Sequence, residues 1–437
     1  MEPREIRAWL DSHVNLERLV GVPSGSTRRM APAPLSRMER LVELLGSPQL
    51  QYPAIHITGT NGKTSAARIT TALLVGAGLS VGTDTSPYLE RFNERISWNG
   101  EPIPDDDLNR ILGGIADVEL VLDDRPSYFE IINAAALEWF ADVAVDVAVI
   151  EVGLGGTWDS TNVVDGQVAV VTNVELDHVE YLGPSRAGIA AEKSGIVKPG
   201  STLVLGETDP ELFPTFAARE PARIVARDRD FGVRANDVAV GGRLVDVFTP
   251  YATYDHVFLP LHGAHQADNA VAALTAAECF LDRALGDEIV ELALASVRSP
   301  GRLEVVGHNP LVVIDGTKNL AGARAVRVAL AEAFPQATRT WVIGVLQQKD
   351  AREMLDALGV TADDVVVACR PELPRAREPR EVASAARALG VAADRVHVVD
   401  DVADAVDLAI ELTQGNGQVI VAGSLYVAGP ARAHLVR

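Results

Sequence analysis

Two residue types are nearly missing from this 437-residue sequence, and a third kind of feature is absent. There are only two cysteines, Cys279 and Cys369. That excludes a disulfide framework and a cysteine zinc site and fits a reducing compartment. Both cysteines sit in apolar stretches and read as buried free thiols. Lysine is almost as scarce: five (Lys63, Lys193, Lys198, Lys318, Lys349) against 34 arginines. No uncharged apolar run reaches the roughly 18 residues of a membrane span, and the charged N-terminus MEPREIRAWLDSHVNLERL lacks the apolar core of a signal peptide. The expected location is the cytoplasm. Positive charge is in deficit too. A formal net charge of -21 repels phosphate backbones, so nucleic acid is not an expected partner.

What is present is ordinary globular material. Hydrophobic residues make up 47% and charged residues 23%, which excludes disorder. The length predicts two domains. Residues 24 to 36 (SGSTRRMAPAPLS) read as a loop, and Ser36–Leu45 as a helix. The run AIHI reads as a strand, TGTNGKTS as a turn and AARITTALLVGAG as a helix. Near-continuous apolar strands follow at VDVAVIEV, QVAVVTNV and STLVL, the pattern of a parallel sheet buried on both faces. Residues 225 to 262 alternate and predict a small antiparallel sheet. After a boundary at SPGRLEVV, a second alternation of strands and Ala-rich helices reads as a Rossmann-like doubly wound domain. The expected fold is therefore α/β, with an N-terminal domain over 1–298 and a C-terminal domain over 299–437.

The strongest chemical signal is Gly59-Thr60-Asn61-Gly62-Lys63-Thr64-Ser65, a compact G-x-x-G-K-T turn between strand and helix. Its backbone N–H groups and helix N-terminus suit phosphates, Lys63 neutralises charge, and Thr64 or Ser65 reaches magnesium. Glu151 closes an apolar run and is a candidate magnesium ligand. Asp177-His178 follows another such run, and Lys193 lies on a helix. Asp84-Thr85-Ser86-Pro87-Tyr88 runs into LERFNERI and is a candidate substrate loop. His265-Gln266 and Asn269 open a helix, where amides suit an adenine edge, but in isolation helix capping explains them better. Arg302, Asp315 and Lys318 open the second domain and are placed to face the phosphates from the other side.

Taken in order, HITGTNGKTS, DTSPYLERFNERI, EVGLGGTWDSTN, TNVELDHVEYLG, IAAEKSGIVKPG, LHGAHQADNA, PGRLE, DGTKN, GVLQQKD and VAGSLYVAG resemble the folylpolyglutamate synthase and dihydrofolate synthase family of Mur-type ligases. The resemblance implies ATP-dependent joining of L-glutamate to a pteroate, a folate or both, through an acyl phosphate. It implies that residues 59–65 hold the ATP phosphates and that Ser86 and Glu151 bind one magnesium. Glu151 and His178 would bind a second, beside a carbamylated Lys193. Gln266 and Asn269 would lie at adenine, and Arg302 and Asp315 near the γ-phosphate. Thr85, Ser86, Pro87, Tyr88, Phe92, Arg95 and Lys318 would contact substrate. The resemblance also admits a monovalent cation and implies a monomer.

Two positions depart from the family pattern. Lys318 stands where D-x-x-H-N-P has His, and Tyr88 where TSPH has His. Both bear on substrate preference. A related ligase acting on a non-folate acid, and a nucleotide- or folate-binding relic without turnover, are the competing readings.

Overall fold

The computed structural model describes residues 2–15, 34–335, 338–413 and 417–436. Of the expected loop at 24–36, residues 24–33 lie outside the described residues, and Leu35 already opens a helix, Leu35–Leu44. Among the described residues the strands form three sheets, and no helix is long and apolar enough to cross a membrane.

The first sheet contains β1 (Ala54–Thr58), β2 (Val81–Asp84), β3 (Ile96–Trp98), β4 (Glu101–Pro102), β5 (Val147–Glu151), β6 (Gly166–Val171), β7 (Thr202–Leu205) and β8 (Arg223–Ala226), in the order β4-β3-β2-β5-β1-β6-β7-β8. Every residue of β1 and of β5 is buried, as their unbroken apolar runs require when both sheet faces are covered. β1 lies between β5 and β6, all parallel, with Ile57 opposite Glu151 and Thr58 opposite Val171. The C-terminal ends of these strands thus meet at the turn that follows β1, where ligands collect in open α/β sheets. The sheet is not wholly parallel, as the apolar runs suggested. β3 and β4 are antiparallel, joined through Asn99 and Gly100, both at positive φ. Asn-Gly is the preferred pair for such a two-residue hairpin.

The expected small antiparallel sheet is β9 (Gly232–Ala239), β10 (Gly242–Phe248) and β11 (Thr253–Leu259). It joins helices Lys63–Gly76, His265–Leu281 and Asp287–Ser296 in one core against the first sheet. The C-terminal sheet runs β12 (Glu304–His308), β13 (Leu311–Ile314), β17 (Gln418–Ala422), β14 (Arg339–Ile343), β15 (Val365–Ala368), β16 (Val396–Val398). It is parallel except for β12, which returns antiparallel on β13. Separate cores lie on its two faces. Cys369 is buried there, but Cys279 is only half-buried, because the end of its helix reaches the surface.

Three contacts attach the loop after β2 to the C-terminal domain. Leu89 packs against that domain's core. Its carbonyl oxygen would lie 2.0 Å from a Cβ at Gly429, so only glycine allows this approach. Arg432 donates to Glu304 on β12 and to Glu90 in the loop.

His56, on β1, is fully buried, with Nε2 2.9 Å from the Thr161 hydroxyl. Burial, reinforced by the Lys198 cation, lowers its pKa to about 3. An unfolded histidine takes up its proton near pH ~6.5, so between ~6.5 and 3 the unfolded chain binds the extra proton and stability falls as pH falls. Below ~6.5 the loss approaches about 1.4 kcal/mol per pH unit. In urea titrations between pH 7 and 5, the wild type is expected to lose about 2 kcal/mol more in total than His56→Gln; equal slopes would refute the assignment.

Candidate active site

The turn after β1 is built by its two glycines. A Cβ at Gly59 would lie 1.8 Å from the Thr172 hydroxyl, so the chain there passes against the end of β6. Gly62 has φ +83°, and a Cβ on it would meet the Asn269 amide at 2.2 Å. The loop is tied down from the β6 side. The Thr60 N–H donates to the Asn173 carbonyl, and the Asn61 N–H donates to Asn173 Oδ1. Lys63 starts the helix and its Nζ donates to the Gly59 carbonyl, 3.0 Å away. A helix N-terminus preceded by a fixed glycine turn and carrying a lysine is an anion site.

Glu151 ends β5 next to that turn and is 2% exposed. It accepts from the Thr64 hydroxyl at 2.9 and 3.0 Å and from the Ser86 N–H at 3.1 Å. Burial raises its pKa, opposed by Lys63, by these donors and by Arg302. Glu151 thus gathers the Thr64 hydroxyl and the Ser86 N–H, which sets two hydroxyl-bearing residues beside one buried carboxylate.

Gln266 and Asn269 are buried on the first turn of their helix and bond to each other, Nδ2 to Oε1 at 3.0 Å. They share a cleft of about 310 Å³ with Thr60–Ser65, Glu151, Arg302, Asp315 and Lys318. Asp315 is buried and accepts the N–H groups of Leu303 and Thr317, which fixes the start of the C-terminal domain beside this cleft. Across the same seam, the Ser65 and Ser299 hydroxyls are 3.2 Å apart.

Asp177 joins the two halves of the site. It is 5% exposed and accepts from Lys349 Nζ at 2.7 Å, from Asn319 Nδ2 at 2.9 Å and from the His178 N–H at 2.9 Å. The same Asn319 amide also donates to Asn61 in the glycine turn. Burial opposes ionisation of Asp177, but His178, Lys318, Lys349 and the Asn319 donor together hold its pKa below the usual carboxylate range. His178 is pushed down to about 3, first by burial and then by Lys318, so it is a neutral imidazole at pH 7. Lys193 is 3% exposed, and burial followed by the Lys63 cation pushes its pKa well below the ordinary lysine value. Lys318 is lowered to about 8, chiefly by burial.

Lys63 and Lys318 line all three cavities at this junction: the cleft above, a small one of about 20 Å³ that includes Lys193 and His178, and a third of about 230 Å³. The third is walled by Met38, Phe129, Trp158, Tyr181 and Leu425, apolar and aromatic surfaces suited to a flat ligand. Of the candidate substrate loop, Ser86 and Pro87 reach it. Tyr88, Phe92 and Arg95 do not. Tyr88 and Phe92 pack edge-to-face with each other, Phe92 with Tyr128, and Arg95 is 1% exposed beneath the Tyr88 ring. Thr85 faces a fourth cavity. Among the described residues, no three His, Cys, Asp or Glu side chains converge to hold a metal ion.

Lys349 and Asn319 carry no motif in the sequence that marks them as site residues, and Asp177 is marked only as the strand-end neighbour of His178. The rarity of lysine was the available signal: four of the chain's five lysines act on or line this one place.

Residues 109–277 match the Mur ligase middle domain family, and residues 301–425 match the Mur ligase, glutamate ligase domain family. The chain is 38% identical to a dihydrofolate synthase/folylpolyglutamate synthase of Mycobacterium tuberculosis over 91% of this chain and 89% of that one. It is 32% identical to the Bacillus subtilis protein of the same name over 99% of each. A crystal structure of M. tuberculosis folylpolyglutamate synthase complexed with ADP and AMPPCP superposes with a TM-score of 0.88, at 38% identity, covering 93% of this chain and 96% of that chain.

Proposed function

The chain belongs to the folylpolyglutamate synthase/dihydrofolate synthase family of Mur-type ligases, and we propose from its site how it performs ATP-dependent joining of L-glutamate to a pteroate or folate carboxylate. The acceptor carboxylate attacks the γ-phosphorus of ATP, ADP leaves, and an acyl phosphate forms. The glutamate amine then adds to the acyl carbon, inorganic phosphate leaves, and the amide remains once the amine's proton is lost. The observation that carries this reading is that lysines from both domains, Lys63 and Lys318, line the polar cleft and the aromatic cavity alike. A phosphate on one side and an acceptor on the other would meet between them.

In this assignment Gly59, Thr60, Asn61, Gly62, Lys63, Thr64 and Ser65 hold the ATP phosphates, with Gln266 and Asn269 at adenine. Arg302, Lys318 and the fixed carboxylate Asp315 approach from the C-terminal domain. Cationic groups preorganised where phosphoryl charge develops are the main source of catalysis in such transfers. Ser86 and Pro87, at the mouth of the aromatic cavity, orient the acceptor. Tyr88, Phe92 and Arg95 act behind them as packing that holds the loop. Asp177, clasped by Lys349 and Asn319, keeps the two domains together and water away from the acyl phosphate. We place the division between the domains at residues 298/299 and assign the protein to the cytoplasm as a monomer.

Magnesium fits the hard oxygen set of Glu151, Thr64 and Ser86. When bound, it supplies charge neutralisation at the phosphates. A second ion near His178 does not fit an ammonium at Lys193. A carbamate there fits, and burial, which pushes the pKa of this lysine well down, favours the neutral amine that carbon dioxide requires.

Three measurements test these assignments. ADP release with MgATP and glutamate is expected to depend on dihydropteroate, on reduced folate or on both, with the amide product identified by mass; silence with each acceptor, given nucleotide binding, would sink the folate assignment. Lys193→Ala is expected to lower kcat at least about a hundredfold, and native mass in bicarbonate to show carbon dioxide added to the wild type but not to this variant. Wild-type kcat/KM for MgATP should fall as pH rises through about 8, as Lys318 loses its proton. Lys318→Arg should remove that alkaline limb, and an unchanged limb would show that Lys318 is not the titrating group.

A further inference from the structure

Outside these three cavities lies a fourth, of about 750 Å³. Its walls are the far side of helix Lys63–Gly76, the loop after β2, the β3–β4 hairpin, the segment from Ser296 to Pro300, and Arg432 of the C-terminal domain. It therefore lies at the domain seam, directly behind the loop that carries Ser86.

Arg68 projects from the phosphate-loop helix at this cavity. Among the described residues it has no hydrogen bond and no ion pair. The carboxylates that act on it are engaged elsewhere. Glu94 accepts the N–H groups of Leu89, Glu90 and Arg91, and Glu151 accepts from Thr64 and Ser86. Arg432 is held by Glu90 and Glu304. Arg298, exposed at the rim, donates only to the carbonyls of Ala295, Ser296 and Val297. A guanidinium keeps its proton in proteins, and enclosing one with no acceptor in hydrogen-bond contact is costly even with carboxylates nearby. Burial already pushes Arg68 below its ordinary value. An oxyanion in the cavity would remove that cost.

The shape narrows the ligand. The volume far exceeds that of one phosphate or carboxylate. Cations stand at two separate places, while Glu90, Glu94 and Glu101 on the walls disfavour the dense charge of a polyphosphate. Carboxylates spaced along a chain suit this arrangement, and the guanidinium fork matches a carboxylate in two hydrogen bonds. We propose that this cavity binds a carboxylate chain of the oligo-γ-glutamate class, with Arg68 as its anchor and Arg298 as a second contact. The choice of ligand rests on the ligase reading above, since that reaction adds glutamate a few residues away.

The test is calorimetric titration of the full chain, saturated with a non-hydrolysable MgATP analogue, with tri-γ-glutamate, L-glutamate and inorganic phosphate. Wild type is expected to bind tri-γ-glutamate in preference to phosphate. Arg68→Gln is expected to weaken that binding at least about tenfold and Arg298→Gln severalfold, with affinity for the nucleotide analogue unchanged in both. Should Arg68→Gln lose the nucleotide through misfolding, Arg298→Gln decides alone, because its exposed side chain is not needed for folding. Absence of tri-γ-glutamate binding, equal binding by all three proteins, or a preference for phosphate overturns the proposal. ADP release by the same samples separates the two readings. Absent turnover with Arg68-dependent binding would overturn only the ligase assignment. Normal turnover with no Arg68-dependent binding would overturn only the cavity.

Discussion

The carboxylate of Asp177 is the constraint on which the site depends. A buried charge is tolerated only when its oxygens are occupied by well-placed donors. Its donors come from far apart in the sequence: His178 beside it, Asn319 at the head of a C-terminal helix, and Lys349 after β14. Asn319 spends its second amide hydrogen on Asn61, inside the glycine turn. Satisfying Asp177 therefore fixes the C-terminal domain against the phosphate loop, and an opening of the seam would leave a carboxylate stripped of two donors at once. Leu89, Gly429 and Arg432 do the same work for the loop after β2, so this loop and the glycine turn are both registered by the domain opposite them.

Much of this was legible in the sequence because it is local. The strand, glycine turn and helix at 54–76 follow from an apolar run, two glycines and a helical pattern. Parallel strands buried on both faces announce themselves as continuous apolar runs. The small antiparallel sheet shows in its alternation. The β3–β4 hairpin is equally local, marked by Asn99-Gly100, but its flanking strands of three and two residues are too short to show an alternation. β12 merges with the boundary segment in the sequence, because each of its residues is at least partly exposed and no long apolar run marks it.

The clasp around Asp177 was not legible, for a different reason. Its partners lie 142 and 172 residues away, and no periodicity connects an aspartate after one strand to a lysine after another. The direction of the aromatic side chains in the loop after β2 is hidden in the same way. Tyr88 and Phe92 read as ligand surfaces from their neighbours in sequence, yet the nearest apolar volume is the core around Tyr128, and burial there competes with exposure to a cleft. Hydrophobic side chains move to whatever interior the tertiary fold offers. The flat walls of the cavity are supplied by Phe129 and Trp158 instead, which sit on other segments.

The lysines show how composition can carry information that motifs do not. In a chain with 34 arginines and a net charge of -21, basic groups on the surface are almost all guanidinium. The site needs something arginine cannot give. Lys193 must be able to lose its proton if carbon dioxide is to add there, and Lys318 sits close enough to neutrality that its charge depends on its neighbours. An arginine at either position would stay charged whatever surrounded it. The acidic exterior then contributes specificity of place. Anions are repelled over most of the surface and attracted where Lys63 and Lys318 overcome the background, at the junction of the two domains.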